Sequence, residues 1–220
     1  MDRIARSVNQ LYERYPYPSL PIRSEHDLII KLHANVMSKI LATAELVPES
    51  LSGKEILDAG CGTGEKSCYF SYYVFCLGVL HHTSGPYLRF CVLADLCKPG
   101  GTVTVGLYNR YGRLVHRIRR LQIGLNAGEN IDKRLEYVER SIYRRKLKST
   151  HEQAYAADKY VNPYESYHSV GEVLGWFDKN DITYTGSYPH TGTGRFHALS
   201  AQLKWLIKRN GFFIISGRKN

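Results

Sequence analysis

The chain has no C-x-x-C pair, and its five cysteines (Cys61, Cys68, Cys76, Cys91 and Cys97) are odd in number. Neither a zinc site nor a disulfide framework is indicated, and buried reduced thiols are expected. Long apolar runs are missing too. Stretches such as VFCLGVL at 74–80 are far too short to cross a bilayer, and the opening MDRIARSVNQ lacks the apolar core of a signal peptide. The expectation is a cytoplasmic protein with no membrane span. Acidic residues are scarce: 20 Asp and Glu face 30 Lys and Arg, for a net charge of +10. The deficit is uneven, because residues 110–148 hold twelve Lys or Arg against Glu129, Asp132, Glu136 and Glu139. Such a stretch is either a platform for an anionic substrate, such as RNA, a nucleotide or a lipid head group, or a solvated helical face. No aromatic signature of the RRM type accompanies it, so a nucleic-acid partner has no specific motif behind it. At 220 residues with 43% apolar content, there is room for one globular domain carrying an insertion.

Against these absences stands LDAGCGTG at 57–64, in which Gly60, Gly62 and Gly64 alternate behind an acidic residue, Asp58. Glycines so spaced let the backbone turn tightly after a strand and approach a ligand closely. A nicotinamide or flavin fingerprint would need its third glycine three residues after the second, where this chain has Glu65. A ribose-binding acid about twenty residues further on is also lacking, so a nicotinamide oxidoreductase is disfavoured.

The apolar patterning reads as an α/β chain. LYERYPYPSLP, with Tyr12, Tyr15, Tyr17 and three prolines, is expected to lie extended, its tyrosines either packing over a cleft or anchoring the segment. Leu28, Ile29, Leu32, Val36, Met37, Ile40 and Leu41 fall at helical spacing. EILDAG, VFCLGVL and, after a KPGG turn, TVTVGLY read as buried strands, with a helix beginning near Pro86 between the last two. That strand, helix and strand form a βαβ unit with a right-handed crossover. VGEVLGWFDKN reads as a helix, with Trp176 and Phe177 in its core face, and DITYTGSYP and GFFIISGRK as two final strands. Residues 113–165 read as a basic helical insertion. The layout is one domain over 1–220: an N-terminal arm and helix at 1–50, a core at 54–109, the insertion, and a C-terminal helix and strand pair at 170–220.

Three motifs in order, LDAGCGTG, CLGVLHHTSGP at 76–86 and LCKPGGTVTV at 96–105, resemble those of class I S-adenosylmethionine-dependent methyltransferases. The resemblance implies a Rossmann-like, mostly parallel sheet with helices on both faces, and S-adenosylmethionine as cofactor. It implies cofactor contacts from Asp58, Gly60, Cys61, Gly62, Gly64, Leu77 and Gly78. It also places His81 beside the cofactor and the methyl acceptor. The chain departs from the pattern between Gly64 and Val74, where nine residues, EKSCYFSYY, stand in place of a helix, a strand, another helix and a further strand. Roughly 35 residues are missing by ordinary element lengths. The second and third strands of the sheet, and with them the nucleoside end of the site, are therefore expected to be absent. Nine residues are barely enough for a parallel crossover, so weak packing is predicted across 65–75.

Methyl transfer from a sulfonium depends mostly on positioning, with a base needed only when the acceptor must lose a proton. His81 and His82, after a strand end, and Tyr108, at the end of another, are the candidate catalytic residues, with Asn109 as a further acceptor-side contact. A histidine pair there can equally cap a turn. DKYVNPYESYH at 158–168, with Asp158, Tyr164 and His168, is a candidate lid in the insertion. Asp158, Glu165 and His168 lack metal-ligand spacing, and no metal is expected. Two functions stay open. One is a methyltransferase acting on an unidentified small or anionic acceptor, with activity impaired by the deletion. The other is a non-catalytic module of the same fold that holds an anionic partner on its basic insertion.

Overall fold

The computed structural model describes residues 3–17, 39, 41–45, 53–58, 71–192 and 194–220, with the backbone alone at Asp58, Ser71 and Arg195. Contacts group the chain into two compact units, 1–31 with 114–165 and 32–113 with 166–220.

Among the described residues, the second unit is built on a sheet of five strands: β1 (Ile56–Asp58), β2 (Ser71–Leu77), β3 (Cys97–Tyr108), β4 (Ile182–Tyr188) and β5 (Phe212–Lys219). The strand order is β1-β2-β3-β5-β4. β1, β2 and β3 pair in parallel, while β5 runs antiparallel to both of its neighbours, β3 and β4. Four of the five strands thus point the same way. β3 is the central strand, buried on both faces from Gly101 to Leu107, as its run TVTVGL requires. Helix α2 (Pro86–Leu96) makes the crossover from β2 to β3, with Pro86 in its first turn, where no N–H is needed.

One face of the sheet carries the main core. Val74 and Cys76 of β2 and Val103, Val105 and Leu107 of β3 meet Phe90 of α2 there. Trp176 and Phe177 of α6 (Val170–Asp178) join them, as do Ala198 and Trp205 of α7 (Arg195–Lys208). Alternate residues of β2, Tyr73 and Phe75, turn to the opposite face. A short helical stretch at 41–44 lies against the sheet through Thr43, whose hydroxyl is 2.9 Å from Ser216 Oγ and whose carbonyl accepts from Thr185 Oγ1 at 3.0 Å.

The first unit is helical: α1 (Arg3–Arg14), α3 (Leu114–Ala127), α4 (Ile131–Val138) and α5 (Thr150–Ala156). α4 and α5 each run on into a π-helical turn, at Glu139–Tyr143 and Ala157–Val161. Asn130 and Ser149 cap α4 and α5 by accepting the backbone N–H of Lys133 and Glu152. Leu11, Ile123, Val138 and Val161 form its core.

Several expectations need correction. Residues 11–14 close a helix instead of lying extended, and Pro16 only follows its end. Tyr12 and Tyr15 anchor that helix, donating to Asp158 Oδ1 at 2.6 Å and to Asp132 Oδ1 at 3.4 Å. β2 begins at Ser71, three residues before the expected start at Val74, so its connection to β1 is the twelve residues 59–70, which lie outside the described residues. Weak packing does not extend to 73–75, where Tyr73, Val74 and Phe75 are buried. KPGG is not a turn ahead of β3 but a bulge inside it: from Ser71↔Cys97 to Tyr73↔Thr102, β2 advances two residues while β3 advances five. Gly101 is fixed there by sterics, since a Cβ would stand 2.5 Å from the Tyr72 carbonyl oxygen. A helix not read from the sequence, α7, separates β4 from β5.

Candidate functional site

Parallel β2 and β3 bring their carboxyl ends, Leu77 and Tyr108, to one edge of the sheet, the edge where open α/β folds bind ligands. Gly78 follows β2 with φ +78°, and its N–H donates to the Gly106 carbonyl at 3.0 Å. Among the described residues, nothing lies within 4 Å of a Cβ placed on Gly78. A single 3₁₀ turn, Leu80–His82, then places both histidines against the end of β3.

The His81 ring lies over the Tyr108 phenol, with centroids 3.6 Å apart and planes at 31°. His82 meets the same ring edge-on at 5.6 Å. The Arg113 guanidinium carbon is 3.5 Å from the Tyr108 centroid. Two groups that close cannot share one face, so the phenol is held between imidazole and guanidinium. His81 is fully buried, and among the described residues neither ring nitrogen has a hydrogen-bond partner. Burial, and then the electrostatic effect of His82, Arg113 and His168, holds its pKa well below the usual 6.5. His81 is therefore a neutral imidazole at physiological pH.

A second set of residues enters from the segment before α6. His168 forms a parallel bridge with Asn109: its N–H donates to the Tyr108 carbonyl, and its own carbonyl accepts from the Arg110 N–H, both at 2.9 Å. Its Nε2 is 2.8 Å from Ser166 Oγ and its Nδ1 is 2.9 Å from Glu172 Oε1. Ser166 is tied in turn to His81, whose carbonyl accepts the Ser166 N–H at 2.7 Å. Glu172 closes a capping box with Ser169 at the start of α6 and faces Arg110 at 3.3 Å. Burial pushes the Glu172 carboxyl up, but the His168 hydrogen bond and charge, the Ser169 N–H and Arg110 together outweigh it and hold the group below 4.5. The carboxylate fixes the His168 ring, leaving Nε2 toward the Ser166 hydroxyl. Asn109 is fully buried; its Oδ1 accepts from Tyr111 N–H and Gly112 N–H at 2.9 and 2.7 Å, and among the described residues its Nδ2 has no partner.

Leu77, Gly78, His81, His82, Tyr108 and Asn109 thus gather at one sheet edge. Asp58 ends β1 opposite Phe75, while Gly60, Cys61, Gly62 and Gly64 lie outside the described residues. The 158–168 cluster divides. Asp158 and Glu165 belong to the first unit, where Glu165 faces Arg120 at 3.5 Å and His116 at 3.9 Å, and His168 belongs to the second. Among the described residues, no group of three His, Cys, Asp or Glu side chains is placed to share a metal ion, and no helix is long and apolar enough to cross a membrane. Ser166, Glu172 and Arg113 were not singled out from the sequence. Ser169-x-x-Glu172 with His168 four residues before the glutamate is the signal that could have found two of this trio's contacts.

No family model matches the chain. An uncharacterized protein, syc1184_c of Synechococcus sp., is 22% identical over 255 residues, a match covering 84% of this chain and 60% of that protein. PKMT2 from Rickettsia typhi shares the fold with a TM-score of 0.51 at 14% identity, over 71% of this chain and 37% of PKMT2. The structure of PKMT2 in complex with AdoHcy matches at a TM-score of 0.49 and 16% identity, over 70% and 36% of the two chains. The chain therefore spans less than two thirds of each of these relatives. It has a class I methyltransferase-like fold, with five sheet strands among the described residues.

Proposed function

We propose that the chain is an S-adenosylmethionine-dependent methyltransferase domain acting on a small or anionic acceptor. The observation that carries this reading is positional. LDAGCGTG begins in β1, and because β1 pairs in parallel with β2, Asp58 and Gly78 are delivered to the same carboxyl edge as His81 and Tyr108. Among the described residues nothing approaches a Cβ placed on Gly78 within 4 Å, which is compatible with a ligand lying against the strand ends. Asp58, Gly60, Cys61, Gly62, Gly64, Leu77 and Gly78 are the residues that would hold the cofactor, which when bound supplies a methyl group on a sulfonium. The chain's own contribution is positioning. Tyr108 and Asn109 present the acceptor side, Asn109 Nδ2, which has no hydrogen-bond partner among the described residues, can orient a carbonyl or carboxylate, and His82 can accept a proton, while buried His81 stays neutral and positions the Tyr108 ring.

A second reading rests on the strand order. Among the described residues β1 is an edge strand, with no neighbour where the resemblance would put the nucleoside half of the site. This supports a non-catalytic binding module in which the basic insertion holds an anionic partner. Calorimetric titration with S-adenosylmethionine and S-adenosylhomocysteine separates the two. Micromolar binding that disappears in Gly62→Val supports the enzyme; no binding by a folded protein removes it and leaves the module.

A further inference from the structure

A helix packed on a core by one face normally turns a polar face to water. α7 does not. Ala198, Gln202 and Trp205 are buried, while Phe196 is 88% exposed and Ile207 83%, with Leu199 and Leu203 about half exposed between them. At 100° per residue these four apolar side chains fall within an arc of about 100° on the outer face. Lys204 and Lys208 lie along one flank of the arc, both exposed. No acidic residue occurs anywhere from Ile182 to Asn220, whereas six Lys or Arg do: Arg195, Lys204, Lys208, Arg209, Arg218 and Lys219.

The first unit repeats the pattern on α3. Leu114, Ile118, Leu121 and Leu125 are exposed at the spacing of one helical face, Leu125 at 87%, while Ile123 is buried. Arg117 and Arg119 are exposed on the same helix, which also has no acid. Two helices in different units therefore pair an apolar stripe with cations and exclude negative charge.

We infer that α7 is a docking surface for an anionic lipid bilayer, held by shallow insertion of Phe196, Leu199, Leu203 and Ile207 with Lys204 and Lys208 at the head groups. The pairing of the two features selects this partner. Nucleic acid would use the cations and leave the aliphatic side chains idle, since phosphates and stacked bases offer leucine and isoleucine little. A second copy of the chain would cover the stripe but would bring Lys204, Lys208 and Arg209 toward their own kind, with no acid on the helix to pair with them. An interfacial helix wants both an apolar stripe to bury in the head-group region and flanking cations for anionic lipids. The inference stands independently of the methyl-transfer reading.

The test is co-sedimentation of the full chain with vesicles of phosphatidylcholine alone and of phosphatidylcholine mixed with phosphatidylglycerol. Binding is expected to the mixed vesicles, to weaken at high salt, and to fall at least about tenfold in the double variant Phe196→Ser, Ile207→Ser. Both residues are exposed, so that variant should melt like the parent, and Lys204→Gln with Lys208→Gln supplies a second, charge-only variant that should also bind less. The proposal is overturned if the protein fails to bind the mixed vesicles, or if the apolar variant binds as well as the parent. It is equally overturned if sedimentation velocity without lipid shows a dimer that depends on Phe196, or if the apolar variant binds a single-stranded oligonucleotide as tightly as the parent while neither binds lipid.

Discussion

His81 lies over the Tyr108 ring, centroids 3.6 Å apart and planes tilted by 31°, in a position where neither of its nitrogens finds a hydrogen bond among the described residues. The contact joins the segment after β2 to the end of β3, so the two strand ends that define the candidate site are locked by one aromatic pair. Its cost is a buried histidine that must stay neutral.

That cost has a pH signature. The His81 pKa is lower in the folded chain than the 6.5 of an unfolded one, so below 6.5 the unfolded state binds a proton that the folded state refuses. Stability should therefore decline as the pH falls below about 6.5, by up to about 1.4 kcal/mol per pH unit from this group. His81→Phe keeps a ring on Tyr108 and has nothing to protonate. Urea denaturation at several pH values between about 5 and 7 should show a shallower slope for His81→Phe than for the parent. Identical slopes would mean that His81 is not the group responsible.

Glu172 titrates in the opposite sense. Its folded pKa lies below 4.5, so its contribution is present above that value and is lost as the pH drops through the folded value. Glu172→Gln keeps a side-chain acceptor for the Ser169 cap but removes the charge that faces His168 and Arg110. A loss of about 1 kcal/mol at neutral pH is expected, kept small because Glu172 is partly exposed, and it should vanish in strong acid. The His168 Nδ1 proton resonance should shift as well. A variant as stable as the parent at neutral pH, with that resonance unmoved, would contradict the arrangement.

Much of this architecture is visible in one dimension. Local chemistry announces α2, whose proline sits in its first turn, and α6, whose Ser169 and Glu172 form a capping box. Continuous apolar runs announce β3 and β5. The failures have physical causes. Ser71, Tyr72 and Tyr73 read as connection because the expected strand began at a β-branched valine, yet Tyr73 is as buried as the core, on the opposite face of the sheet. α7 escaped because Phe196, Leu199, Leu203 and Ile207 point outward, which blurs the two-sided pattern of an ordinary surface helix. His81, His82 and Tyr108 were legible as strand-end residues, whereas Ser166 and Arg113 join them only through tertiary contacts that no local spacing encodes.

The cysteines offer a test of burial. Cys76 and Cys97 are buried and Cys91 is half-buried; Cys61 and Cys68 lie outside the described residues. Burial pushes the Cys97 thiol up to about 11, only partly offset by Lys219, so almost none of it is thiolate at pH 8. Alkylation of the native protein with iodoacetamide, read by peptide mass spectrometry, should label Cys91 well before Cys97 and Cys76. Faster labelling of Cys97 would show that the start of β3 opens readily.

Two glycines should respond to alanine with opposite sign. Gly112 lies between Asn109 and Arg113, where a Cβ would stand 1.9 Å from the Asn210 carbonyl oxygen and 2.4 Å from its carbon. Backbone cannot rotate away as a side chain can, so the turn that hangs from Asn109 Oδ1 would have to shift, carrying Arg113 off the Tyr108 ring. Gly112→Ala should cost about 2 kcal/mol or more. Gly175, inside α6, meets nothing within 4 Å of its Cβ position among the described residues, and alanine there gains helix propensity without a clash from them, for about 0.5–1 kcal/mol of added stability. Thermal melts of the two variants against the parent should therefore move in opposite directions. If Gly112→Ala were as stable as the parent, the loop between β3 and α3 could not be held against Asn210, and the placement of Arg113 over Tyr108 would fall with it.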